Sequence, residues 1–168
     1  MRRTLMWMAF AAAAGCVAGY GTTMLATPAS DFTGTTIAQG LFDEIDVKNY
    51  TVPADLWQAR LKTQGQSRLF VQSNVWQPGG STGWHTHPGF SLIVVTAGTV
   101  TIYDGDDPAC TPHEYTVGQG FVDPGGDHSH VIRNEGSVEA RTTTVQLIRE
   151  GAARRIDMPN PYPGSCPQ

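Results

Sequence analysis

Between residues 68 and 148 apolar and polar positions alternate with a period of two, in short runs rich in Val, Ile and Thr. Period two sends successive side chains to opposite faces, so the runs at 68–76, 91–96, 99–103, 114–117, 121–122, 130–133 and 141–148 predict half-buried strands. Between them lie Pro78-Gly79-Gly80, Ala97-Gly98, Asp104-Gly105-Asp106-Asp107-Pro108 and Pro124-Gly125-Gly126, each a turn by its backbone preferences. At least seven short strands at close, even spacing predict an all-β sandwich or barrel. Upstream, residues 31–64 are irregular, with a short strand at Thr35-Thr36-Ile37 and at best one or two turns of helix over 53–60. That segment is expected to wrap the barrel, and the Pro-rich tail 159–168 reads as coil.

Length and charge narrow the picture. A chain of 168 residues has room for one domain with one core. Charged residues make up only 15% while Gly and Pro number 19 and 11, a balance that favours turns and strands over long helices. The formal charge of -4, with no basic cluster beyond Arg154-Arg155, excludes the cationic face that nucleic acid requires.

The first thirty residues differ from the rest. Arg2 and Arg3 precede an apolar run from Leu5 to Val17 and a small-residue stretch ending at Ala26-Thr27-Pro28-Ala29, the layout of a secretory signal peptide. Gly15, Gly19 and Gly21 interrupt the run before the roughly 20 residues that span a bilayer, so no stable membrane span is expected after processing. Residues 1–29 are thus expected to be a signal and 30–168 the secreted or extracytoplasmic domain, with lipid anchoring at Cys16 as an alternative. Loss of Arg2 and Arg3 takes the charge to -6. Cys110 and Cys166 then remain as the only cysteines in an oxidising compartment and are expected to form a disulfide.

Four of the five histidines fall into two H-x-H pairs, His85/His87 and His128/His130. In an extended chain residues two apart leave the same face, so each pair can meet one ion. Three or four imidazoles around a cavity suit Zn, Fe, Cu or Ni. Surface turn histidines beside Pro and Gly are the plainer alternative, which fits any one of them better than it fits two strand-flanked pairs.

Around these pairs the sequence resembles the cupin family. Gly79, five residues, His85-Thr86-His87, then Ser91 and Gly98 follow the first cupin motif over 79–98. Gly118, five residues, Pro124-Gly125-Gly126, His130 and Asn134 follow the second over 118–134. The resemblance implies a double-stranded β-helix (jelly-roll) barrel over 30–168, often a homodimer, holding one divalent transition metal such as Fe, Zn, Mn or Ni. It implies His85, His87 and His130 as ligands. The sequence departs from the family in two places: Ser91 stands where the motif has Glu, and one extra residue lies between Pro124 and His130. The register of the second motif is therefore open between His130 and His128, and His128 is a candidate fourth ligand. Three-histidine sites occur in the family among oxygen-using iron enzymes.

Other residues near the motifs are candidates for the cavity. Trp76, Phe90, Tyr103 and Phe121 are expected to line a substrate pocket, although Trp76, Trp84, Phe90 and Phe121 equally suit core packing. Asp123 and Asp127 are placed to orient His128 or His130, or to serve the adjacent turn. No nucleophile elbow, phosphate-cradling Gly loop or C-x-x-C is present. Two functions follow: a secreted metal-dependent oxygenase or lyase/isomerase acting on a small organic molecule, or a non-catalytic small-molecule-binding barrel with a degenerate metal site.

Overall fold

The computed structural model describes residues 25–50 and 57–168. Among them there is no helix, and twelve strands run in the order β1 (Ser30–Phe42), β2 (Asp46–Tyr50), β3 (Gln58–Lys62), β4 (Ser67–Ser81), β5 (His85–Thr86), β6 (Ser91–Ala97), β7 (Thr99–Asp104), β8 (His113–Thr116), β9 (Gly120–Asp123), β10 (His130–Arg133), β11 (Ala140–Arg149) and β12 (Ile156–Asp157). Every run with period-two alternation is a strand. Ten of these elements join one antiparallel sheet in the order β12-β5-β10-β4-β11-β6-β9, with β1 on β4, β7 on β10 and β8 on β7. The sheet curls into the nearly closed barrel that the motifs imply.

Alternation divides the barrel strands cleanly into an inner and an outer set. Along β6, Ser91, Ile93 and Val95 are buried while Leu92 and Val94 are exposed. On β7 and β10 the registered pair Ile102 and Ile132 joins Trp76, Val95, Val100 and Ala140 in the barrel core. Their neighbours Tyr103 and Val131, one residue away on each strand, face outward and pack with Trp84, Cys110 and Cys166 in a second cluster. The tail that supplies Cys166 forms no strand or helix, as expected of coil, and packs against this outer cluster. Cys110 and Cys166 form a disulfide with their Cα atoms 5.3 Å apart, and the Trp84 indole donates to the Pro167 carbonyl at 2.9 Å.

Two stretches differ from the sequence expectation. Residues 30–42 form a 13-residue strand, β1, paired along the whole length of β4. Their side chains are almost all exposed, so the backbone ladder holds the strand and no alternation betrays it. The expected helix over 53–60 is not formed where it can be seen: Gln58 begins β3, which pairs with β2 from Asp46↔Lys62 to Tyr50↔Gln58, and residues 51–56 lie outside the described ones. The signal segment likewise lies outside them up to residue 24. Of its last five residues, which are described, Thr27 is buried, and its Oγ1 accepts from the Trp84 N–H at 2.6 Å, so the end of the expected 1–29 signal packs on the domain.

Candidate metal centre

β5 is only two residues long and is positioned entirely by its neighbours. β10 pairs with it on one side, setting His130 opposite His85, and β12 pairs on the other through Ile156↔Thr86 and Asp157↔His85. On β10, His130 lies two residues before the lumenal Ile132 and shares its face. The three rings of His85, His87 and His130 therefore meet inside the barrel, with centroids 4.4 Å (His85–His130), 4.8 Å (His85–His87) and 5.7 Å (His87–His130) apart. One ring nitrogen from each lies within 4.8 Å of the other two.

Backbone carbonyls orient two of these rings. His85 Nδ1 lies 2.9 Å from the Gly83 carbonyl and His87 Nδ1 lies 2.6 Å from the Arg154 carbonyl. Donation to a carbonyl puts the proton on Nδ1 and leaves Nε2 with a free lone pair. Burial holds all three imidazoles below the ordinary histidine value. It takes His85 well below, with help from His130, lowers His87, and brings His130 to about 4. At neutral pH the cluster is uncharged, the form that binds a metal.

The second motif's extra residue sits in the turn before β10. Gly125 has φ +67°, a conformation that a residue without Cβ adopts freely. A Cβ there would run into the carbonyl oxygens of Gly89 and His87, so the turn rests directly on the ligand loop. The turn continues through Ser129, and His128 lies outside the strand. It does not join the cluster. Its Nδ1 lies 2.7 Å from Asp106 Oδ2 and its Nε2 3.2 Å from Asp104 Oδ1. Burial alone would lower His128, but these carboxylates outweigh it and raise its pKa above the ordinary value, a state opposed to metal ligation.

A cavity of about 240 Å³ opens beside the three histidines. Trp76 lines it as expected, and its buried indole N–H has no acceptor. The other aromatic candidates are elsewhere. Phe90 lies in a surface depression with Leu147 and Ile148, and Phe121 borders a smaller cavity of about 140 Å³ beyond His130, with Tyr115 and His128. Tyr103 faces the outer cluster because strand alternation turns it away from Ile102. Its hydroxyl donates to Glu135 at 2.9 Å, and burial with that carboxylate pushes the phenol up to about 12.

The lining also holds polar residues with no motif to announce them. Thr142, Thr144 and Gln146 come from β11 at i, i+2 and i+4, so their alternation with Thr143 and Val145 was the available signal. Arg154 and Arg155, from the loop before β12, also line the cavity. Ser91 is buried at the position the motif reserves for Glu, and its Oγ has no partner.

The comparisons with known proteins agree with this geometry. Residues 74–146 match the cupin domain family model. No curated protein matches the sequence. Among solved structures, the polyketide cyclase RemF of Streptomyces resistomycificus is similar over 83% of this chain and 82% of its own, at 18% identity and a TM-score of 0.51. A cupin 2 conserved barrel domain protein of Leptotrichia buccalis is similar over 47% of this chain and 35% of its own, at 19% identity and a TM-score of 0.41. The DMSP lyase DddQ of Ruegeria pomeroyi covers 54% of this chain and 43% of its own, at 16% identity and a TM-score of 0.46. The likeness to the cyclase speaks for the fold.

Proposed function

We propose that this chain, whose residues 74–146 match the cupin domain family model and whose barrel brings three buried histidines together, binds one divalent transition metal there and acts as an enzyme on a small organic molecule. The observation that carries this reading is the convergence of three neutral imidazoles on one side of a cavity. Three polar rings in a lumen need partners for their nitrogens, and an ion supplies one partner for all of them. The donor set fits: nitrogen ligands of intermediate softness, two of them tied to carbonyls, suit Fe, Zn, Mn or Ni.

Once bound, the metal would polarise a substrate oxygen or bind dioxygen, the chemistry shared by a lyase or isomerase and by an oxygenase. The chain's own residues do the rest. Trp76, Ile93 and Ile132 wall the cavity and exclude water from the ion's open side. The free Trp76 N–H and Ser91 hydroxyl are positioned to hydrogen-bond a ligand's polar atoms, which would satisfy groups that have no partner in the protein. The Arg155 guanidinium is paired with Asp157, whereas that of Arg154 bonds only the neutral Thr36 and Gln146, so the Arg154 charge favours a substrate that carries negative charge on oxygen.

A non-catalytic binding barrel is the second reading, and the serine at the motif's glutamate position favours it. Metal analysis of the purified protein separates the two. Close to one transition metal per chain, lost in His87→Ala, supports the enzyme; a metal-free native protein, or full metal content in His87→Ala, refutes the site. We propose also that the protein is exported. The signal-like composition of residues 1–29 and the Cys110–Cys166 disulfide support export.

A further inference from the structure

β9 runs antiparallel beside β6, and its register sets Asp123 directly opposite Ser91. Cross-strand partners put their side chains on one face with Cβ atoms roughly 5 Å apart. The carboxylate of Asp123 therefore enters the lumen next to the hydroxyl that stands in the motif's glutamate position. Asp123 is 5% exposed. Its Oδ1 accepts the Gly125 N–H at 2.9 Å, while its Oδ2 is buried with no hydrogen-bond partner. Among the described residues the only groups at ion-pair distance from it are His87 and His130, both held neutral by burial. Oδ2 lies 3.5 Å from His87 Nε2 and Oδ1 lies 3.5 Å from His130 Nδ1.

A buried carboxylate oxygen beside the neutral His87 imidazole, at the edge of the three-histidine cluster, lacks a cation, and desolvating it without one is costly. The spacing suggests what is missing. Two donors on a tetrahedral ion with bonds of about 2.1 Å stand about 3.4 Å apart, close to the separation between Oδ2 and the free Nε2 of His87. We propose that Asp123 is the fourth protein ligand, its Oδ2 supplying across the β6–β9 ladder the carboxylate that Ser91 cannot. The inference rests on the metal reading above and extends it. The site keeps the three-histidine, one-carboxylate composition while its acid arrives from another strand. The ion's net charge falls by one unit, and the Gly125 N–H fixes the carboxylate so that Oδ2 points inward.

Cobalt(II) tests the assignment, because its visible bands report coordination independently of any reaction. The full chain is stripped with chelator and titrated with Co(II) by calorimetry and absorption, alongside Asp123→Asn and the double variant Asp123→Ser/Ser91→Glu. Asp123→Asn is expected to bind roughly 100-fold more weakly or worse, with shifted bands. The double variant is expected to regain most of the affinity, since it returns the carboxylate to the partner position. Wild-type affinity in Asp123→Asn overturns the proposal. So does weakened binding with unchanged bands, which would make Asp123 only a positioning residue for His130. Should Asp123→Asn fail to fold, the double variant decides alone: folded by near-UV circular dichroism yet unable to bind Co(II), it overturns the proposal. A wild-type chain that takes up no Co(II) refutes the metal reading itself, a result distinct from an Asp123→Asn variant that matches the wild type.

Discussion

Lowering the pH should unfold the metal-free protein through its histidine cluster. His130 titrates near 6.5 in the unfolded chain and at about 4 in the fold, mainly because it is buried. The unfolded state therefore binds more protons between these values, and stability is complete above pH 6.5 and lost as pH falls towards 4. Each unit is worth about 1.4 kcal/mol, so His130 alone removes about 2 kcal/mol by pH 5 and about 3 kcal/mol below pH 4. His85 and His87 shift in the same direction and add to the loss. His128 has the opposite sign: its raised value adds stability in acid that fades as pH rises, so the whole-protein curve mixes both effects. Comparison with a variant isolates the cluster. Urea unfolding of chelator-treated wild type and His130→Asn at pH 7.5 and 5 should give stabilities that converge by roughly 2 kcal/mol at the lower pH. Curves that stay parallel would show that His130 is not held neutral by burial. A saturating transition metal should oppose the loss, because ligation competes with protonation.

Three further outcomes follow from the packing. Gly125→Ala should cost at least ~2 kcal/mol in thermal or urea unfolding and weaken metal binding, since its positive φ and the carbonyls of Gly89 and His87 leave no room for a methyl group. Cys110→Ser should lower stability by up to about 4 kcal/mol, from the entropy of the loop spanning a sequence separation of 56, measured under non-reducing conditions. Tyr103→Phe should cost about 1 kcal/mol for its lost bond to Glu135 and leave metal content unchanged; a loss of metal would return Tyr103 to the site.

The barrel was legible where alternation was strong and opaque where strands lack a buried face. β6 and most of β11 bury one side, and the period-two pattern records that directly, whereas β7 and β10 are buried on both faces between the barrel core and the outer cluster. β1 is exposed along nearly its whole length, so nothing in its side chains distinguishes it from coil. The H-x-H rule succeeded for His85 and His87 and failed for His128, because spacing two implies a shared face only within an extended strand, and β10 begins at His130. Tyr103 leaves the lumen because Ile102, its neighbour on β7, faces it. Asp123 lay hidden for a different reason: its proximity to Ser91 is a register between two strands separated in sequence by the β7–β8 hairpin, and no local pattern encodes it.

The ligand stretch His85–His87 also imposes an order on maturation. Apart from the Gly83 carbonyl on His85 and Thr27 on Trp84, what pins it comes later in the chain: β10 beside it, the Arg154 carbonyl under His87, β12 along its outer edge, and Pro167 on the neighbouring Trp84. A chain built from its N-terminus carries two of the three imidazoles long before it carries the segments that give them their posture. A C-terminal cut at residue 150 would therefore leave every histidine and β10 in place but remove the Arg154 carbonyl under His87 and β12 along the outer edge of β5.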